Sequence, residues 1–402
     1  MTTSVTCHHV TDRSTIKDGR TPGIASGHGS SETGTMLSNP LCFVLQMNAD
    51  RAGGSMPPFS TFSGEASSST GTPTHVTELD RVVAYANRFS LKLFKHAAAL
   101  DPRSTVCVGP FALFQTLCMA YAGAQGNTEH QMAKAFKVNK RFEMHGAFQT
   151  LMSLLRGKRS DGRREMSCRA FVERSLQLAP AFEAILEKKY QAEMRRVELA
   201  DEPDSVREQV NSTVEKDTRG AISQLLVSGV TDHDTRIIIC DSIYVKASWD
   251  TVFPATAAAT EKHPFTVSTG RPASVSGAAA TAMGSDQGPE LIRISGVYRH
   301  CRDAENKLLA VEVPLRGGQL SLLLFLADNA PSLRRFHKHL SLDLYERILD
   351  KLKDTGERIS GEVTLARCSS KDKIGLVGGT LERYLVALGV VRLLLLPMMM
   401  VI

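Results

Sequence analysis

Residues 236–249, RIIICDSIYVKASW, join a β-branched apolar run to the only tryptophan of the chain. Ile237, Ile238 and Ile239 lack the alternation of a half-solvated strand, which is the pattern of a strand covered on both faces. Ile243, Tyr244 and Val245 extend the run beyond a polar break, so the stretch predicts one long central strand. At about 3.3 Å per residue it would cross roughly 45 Å, against about five or six residues for an ordinary strand. A large sheet follows from that length.

Helical periodicity begins near residue 77. Thr77-Glu-Leu-Asp80 has the form of a capping box, and Val82, Ala86, Phe89 and Leu93 follow on one face of an amphipathic first helix. A short strand at 105–108 leads into Gly109-Pro110, with proline at the first helical position and Leu113, Leu117, Ala120 and Tyr121 facing inward. Gly123-Ala-Gln-Gly126 breaks that helix, and Thr128 with Gln131 marks a restart. Later helices carry Met144, Phe148, Leu151 and Leu155; then Phe182, Leu186 and Tyr190 after Pro180; then Val206, Val210 and Val214 up to Gly220, which suits a left-handed cap. Residues 171–178 and 197–199 read as strands. Strands at 308–313 and 320–326, joined through Pro314-Leu-Arg-Gly-Gly318, form a hairpin. Ser341 caps a helix bearing Leu342, Tyr345, Ile348, Leu349 and Leu352; a strand at 362–365 follows; Leu381, Tyr384, Leu385 and Leu388 mark a last helix closed by Gly389.

Residues 1–75 behave differently. They are rich in Ser, Thr and Gly, carry Pro22, Pro40, Pro57, Pro58 and Pro73, and show no period, so they read as a disordered leader that cannot offset its ordering entropy. Residues 76–396 then form one large domain and 397–402 an apolar tail. The stretch from 250 to about 300 is rich in small residues, including the alanines at 257–259 and 278–280. With 402 residues, 42% hydrophobic and 22% charged, the chain has the means to bury a substantial core.

A net charge of +6 falls short of a dedicated nucleic-acid protein, and no RNA- or DNA-binding motif is present. The eight cysteines, at 7, 42, 107, 118, 168, 240, 301 and 368, fall singly; Cys107, Cys118 and Cys240 lie in apolar runs and read as buried free thiols. Residues 1–34 are polar and unlike a secretory signal, and the apolar patch at 36–45 has no basic lead-in. Nothing approaches the roughly 20 apolar residues of a membrane span.

Candidate chemistry is sparse. There is no G-x-S-x-G; Gly53-Gly54-Ser55 lacks the second flanking glycine. No glycine-rich phosphate loop occurs. Cys7-His8-His9 reads as tail rather than metal site, and His337-Lys-His339 points its rings to different faces of a helix. No cofactor, no metal and no enzymatic activity are expected. Arg156, Lys158, Arg159, Arg163 and Arg164 form a basic run with two readings, a solvated loop or a glycosaminoglycan-like polyanion site. Asn211-Ser-Thr213 is formally a glycosylation sequon, placed mid-helix where it is expected to be coincidental.

The order of elements and several motifs resemble the serpin family over roughly residues 77–396. Asp241-Ser-Ile-Tyr-Val-Lys-Ala-Ser-Trp249 looks like the family's N-A-I-Y-F-K-G-x-W, followed by Phe253, Thr260 and Phe265. Val210-Asn211, Val214, Thr218, Gly220 and Ile222 resemble I-N-x-W-V-x-x-x-T-x-G-x-I, with Thr213 in place of the tryptophan. Gly109-Pro110, Ala122-Gly123-Ala124 and Thr128 resemble the S-P-x-S and G-A-x-G-x-T region; Pro314, Leu320 and Ser321 match the P-Y-x-x-x-x-L-S-M hairpin; Leu388-Gly389-Val390 matches L-G-M/V.

The resemblance implies an α+β serpin fold, with helices packed around large, mostly antiparallel sheets. It implies a suicide-substrate inhibitor of a serine, or for some members a cysteine, protease, whose cleaved reactive loop inserts into the central sheet; serpin insertion is a standard example of strand addition. It places Trp249 at the top of the sheet and Gly109, Ala112 and Asn211 where strands part. The family is mostly extracellular, with cytoplasmic members as the alternative. Two departures stand out. Gly109 and Ala112 replace the serines of S-P-x-S, and after Val390 the residues do not continue into the hinge pattern E-x-G-T-E-A-A-A-A-T. The expectation is therefore a serpin domain missing its C-terminal strands and reactive loop, with no reactive bond in the chain. The rival is a non-inhibitory, truncated serpin-like binding protein, in which an open sheet edge and an apolar tail favour self-association.

Overall fold

The computed structural model describes residues 6–7, 10–11, 40–47, 77–100, 106–107, 109–138, 144–156, 162–247, 249, 291–316, 320–328, 330–354, 358–366 and 398–401. The elements are β1 (Thr6–Cys7), β2 (Val10–Thr11), β3 (Pro40–Met47), α1 (Glu78–Leu100), β4 (Val106–Cys107), α2 (Pro110–Gly123), α3 (Gly126–Phe136) and α4 (Met144–Arg156). They continue with β5 (Gly162–Glu173), α5 (Pro180–Lys189), β6 (Glu193–Val197), α6 (Pro203–Asp217), β7 (Ile237–Ala247), β8 (Leu291–Asp303), β9 (Leu308–Pro314) and β10 (Leu320–Ala327). The last are α7 (Ala330–His339), α8 (Leu342–Asp354), β11 (Arg358–Ala366) and β12 (Met398–Val401).

Two sheets carry the architecture. The first runs β12-β7-β5-β6, the second β11-β8-β9-β10-β3-β2. Their pairings are antiparallel except β5 with β6 and β7 with β12. Strand β7 is described to Ala247; residue 248 lies outside the described residues, and Trp249 forms an isolated bridge to Leu315, the residue after β9.

The continuous apolar run of β7 has the predicted cause. Ile239 joins the large core formed with α1, α2 and α4, while Ile238 and Cys240 join a second core under α6 with Phe171, Val206, Val210 and Val214. Period-two alternation thus distributes one strand between two helical layers. Helix α2 is sandwiched in turn, with every residue from Ala112 to Ala120 buried, as expected of a helix that is apolar all round. Leu113, Phe114 and Leu117 have no exposed surface, and each such side chain contributes about 1.5–3 kcal/mol on burial.

The caps follow local chemistry. Thr77 and Asp80 form the reciprocal box: the Thr77 N–H donates to Asp80 Oδ2 at 2.9 Å and the Asp80 N–H to Thr77 Oγ1 at 3.1 Å. Ser341 Oγ accepts from the Leu344 N–H at 3.2 Å. The left-handed residue that closes α6 is Arg219, at φ +54, one position before the expected Gly220; Gly220 follows at φ +79 and donates its N–H to the Glu215 carbonyl at 2.7 Å, the six-to-one bond of such a cap.

Several expectations differ from the fold. Strand β5 begins at Gly162 and ends at Glu173, because pairing with β7 recruits a charge-rich stretch whose side chains show no apolar period. Helix α3 starts at Gly126 behind Gln125, without a side-chain cap from Thr128. The leader read as structureless supplies β1, β2 and β3, which find partners remote in sequence, and the apolar tail supplies β12. Residues 250–290 and the helix expected around 381–388 lie outside the described residues.

Candidate functional site

On one side of β7, β5 pairs along all eleven residues, from Ala247 opposite Gly162 to Ile237 opposite Val172. On the other, β12 pairs with Ile237, Ile238, Ile239 and Cys240. Asp241 is the first residue of β7 beyond that described pairing.

Asp241 is buried, at 4% exposure, and faces α2. Its Oδ2 accepts a hydrogen bond from Thr116 Oγ1 at 2.8 Å, while the Ala112 carbonyl lies 3.0 Å from the same hydroxyl. A hydroxyl has one proton, and a carboxylate is the stronger acceptor. Thr116, one turn beyond Ala112, thus ties α2 to β7. Burial, with the Asp241 charge beside it, pushes the Cys240 thiol up to about 12 and the Cys118 thiol well up, so both stay protonated. Buried free thiols are what the apolar surroundings of Cys118 and Cys240 predict.

The opposite face is covered by α6. Asn211 donates from Nδ2 to the Leu226 carbonyl at 2.9 Å and accepts at Oδ1 from the N–H groups of Leu225, at 2.9 Å, and Leu226, at 2.7 Å. Its amide is 8% exposed and fully engaged, which takes it out of use as a glycosylation acceptor. Arg169 on β5 grips Asp217 at the end of α6 through Nε, at 2.7 Å, and Nη2, at 2.9 Å, and also pairs with Glu193 on β6. Arg219 donates Nε to Glu165 Oε1 at 3.1 Å and sits 6.0 Å over the Tyr244 ring, tying the turn after α6 to β5 and β7. At the far end of β7, Trp249 packs with Ile243, Val245, Leu315 and Leu320, joining the two sheets.

The residues singled out from sequence therefore lie around β7 without forming one cluster. Gly109, at the start of α2, and Ala112, within it, lie on one face, Asn211 lies on the other, and Trp249 stands at the strand's far end. Thr116 and the Arg169–Asp217 clamp were not found by motif reading. Spacing offers a weak signal for Thr116, a hydroxyl one turn beyond Ala112; nothing local in sequence marks Arg169, whose partners are 24 and 48 residues away. The basic run is divided: Arg156 ends α4, Arg163 and Arg164 open β5, and Lys158 and Arg159 lie outside the described residues. His337 stacks edge-on to Phe94 at 5.3 Å, a packing role. Among the described residues no cluster of His, Cys, Asp and Glu is arranged to hold a metal.

A sheet with helices packed on both faces, bridged through Trp249 to a second sheet, is an architecture with known counterparts. The family model described as Serpin (serine protease inhibitor) matches residues 84–395. The leukocyte elastase inhibitor of Sus scrofa is 27% identical over 269 residues, covering 66% of this chain and 67% of that protein. Iris of Ixodes ricinus is 27% identical over 257 residues, covering 63% of each, and human Serpin B9 is 26% identical over 256 residues, covering 63% of this chain and 64% of that protein. Among solved structures, emu ovalbumin superposes with a TM-score of 0.65 at 21% identity, covering 77% of this chain and 78% of its own. The chain belongs to the serpin family.

Proposed function

We propose that this serpin acts as a serine protease inhibitor, with the inserting strand received beside β7. The observation that carries the reading is the family match over residues 84–395. In the family mechanism a cleaved loop adds to the central sheet as a strand, here alongside β7, which pairs with β5 along its length and with β12 at Ile237–Cys240. The Thr116–Asp241 hydrogen bond ties β7 to α2, so movement of β7 against α2 has to break it. Relatives named as elastase inhibitors support the protease partner.

The test is incubation of the purified chain with trypsin-like, chymotrypsin-like, subtilisin-like and papain-like proteases, followed by a denaturing gel. A covalent complex of summed mass is the result expected of an inhibitor, and it would overturn the expectation from sequence that the chain holds no reactive bond. Cleavage of the chain by every protease without such a complex would instead establish the second reading, a non-inhibitory binding protein.

Two finer assignments belong to the same proposal. Cys118, Cys168, Cys240 and Cys301 are all free thiols, which suits a reducing compartment, so we favour the cytoplasmic alternative over the extracellular one. No described helix is long and apolar enough to cross a membrane. A glycosaminoglycan site would draw on Arg156, the last residue of α4, and on Arg163 and Arg164 near the start of β5.

A further inference from the structure

The second sheet is completed from outside the region that matches the family. Strand β3 lies more than thirty residues before residue 84, yet it pairs antiparallel with β10 through seven register partners, from Leu320 opposite Met47 to Leu326 opposite Leu41. Strand β10 needs such a neighbour. Seven of its eight residues are buried, and β9 occupies only one of its edges. An apolar strand with an open edge is a template for association with other chains.

The register is chemically selective. Ser321, the only polar residue of β10, stands opposite Gln46, the only polar side chain of β3; Leu322, Leu323, Leu324, Phe325 and Leu326 stand opposite Leu45, Val44, Phe43, Cys42 and Leu41. A slip of one residue would set Gln46 against leucine and turn every side chain to the other face. Two further contacts anchor the leader. Helix α7 lies against both β10 and β3, and β1 pairs with β4 through Thr6 opposite Cys107 and Cys7 opposite Val106.

We propose that the β10 edge is a strand-docking site and that Pro40–Met47 of the same chain is its occupant. Backbone pairing and register hold the segment, so the covalent link through residues 48–77 is not needed to keep it there. The leader is then a tethered apolar peptide ligand that shields the edge. This inference rests on pairing in the second sheet and is independent of protease inhibition.

The full-length chain tests it in two ways. A protease recognition sequence inserted after residue 62 permits a single cut. After cutting, the fragment containing β3 is expected to co-elute with the body at a one-to-one ratio on native gel filtration. Separate elution would overturn the proposal. Independently, Leu45→Cys with Leu322→Cys, a register pair whose β10 member is half-buried, is expected to oxidise to an intrachain disulfide, mapped by mass spectrometry of the linked peptides. The pair Leu45→Cys with Ser321→Cys, one residue out of register, is expected to stay reduced. An interchain disulfide from the in-register pair would overturn the proposal and make a second copy of the chain the occupant; no disulfide would overturn it as well.

Discussion

At the scale of single residues, α2 is tied to β7 by a hydrogen bond between a hydroxyl and a buried carboxylate. Asp241 is taken out of water and Thr116 Oγ1 donates to it. Thr116→Val keeps the shape and removes the donor, and the expected loss is about 1–3 kcal/mol, the penalty for withdrawing a partner from a buried charge. Adding Asp241→Asn to that variant removes the charge and should restore part of the loss, since a neutral amide is cheaper to bury. Urea denaturation of the single and double variants at neutral pH measures both steps. If Thr116→Val leaves the midpoint unchanged, the hydroxyl is not a latch.

Glu173 supplies a second residue-scale prediction. Its carboxylate accepts from the Ala200 N–H at 2.8 Å, the Ser175 N–H at 3.1 Å and the Ser175 hydroxyl at 2.9 Å. The Ala200 and Ser175 backbone bonds lower its pKa against the burial that raises it. A depressed folded value means that the stabilisation is present above the unfolded value, about 4.3, and disappears as pH falls through the lower folded value. Thermal midpoints followed from neutral to acid pH should therefore fall below that point, and Glu173→Gln should remove this part of the slope while lowering the neutral-pH midpoint.

At the scale of elements, α6 is held across the sheet by charge as well as by its valines. Arg169 and Asp217 are each 14% exposed and bidentate, and Arg169 also reaches Glu193. Hydrogen bonds between charged groups in such a setting contribute about 1.5–3 kcal/mol, so a double-mutant cycle on Arg169→Met and Asp217→Leu should show coupling of that order. Each single variant is expected to be less stable than the double, which leaves no charge behind. Additive effects would show that α6 is held by its apolar face alone.

This clamp also marks the limit of what the chain reveals in one dimension. Helices with capped starts and a clear apolar stripe, α1 and α8 among them, are legible because their causes are local: Thr77 with Asp80, and Ser341 with Leu344. The first half of β5 is not, because Arg163, Arg164 and Glu165 become strand by pairing with Lys246, Val245 and Tyr244 some eighty residues on. Strand β3 is hidden for the same reason: its apolar patch has no meaning until β10 is beside it. At the site, Trp249 and Asn211 are found by motif, whereas Thr116 is visible only once α2 is laid under β7.

At the scale of the whole molecule, the two sheets meet where the only tryptophan bridges to Leu315, within an apolar cluster of Ile243, Val245 and Leu320. That junction makes Trp249 a reporter of whether the sheets unfold together. If the bridge couples them into one cooperative unit, fluorescence excited selectively at the indole and far-ultraviolet circular dichroism should trace the same urea transition. The same probe distinguishes local from global opening. On the proposed insertion beside β7 at the Trp249 end, an extended peptide added there should shift the indole emission without loss of helical signal. Leu315→Ala, which removes a side chain only 5% exposed from the bridge, should separate the two transitions, the indole moving first, and should cost about 2–5 kcal/mol in the usual range for a buried leucine. Coincident transitions in both the parent and Leu315→Ala would show instead that the sheets are joined by their shared core and that Trp249 only witnesses the connection.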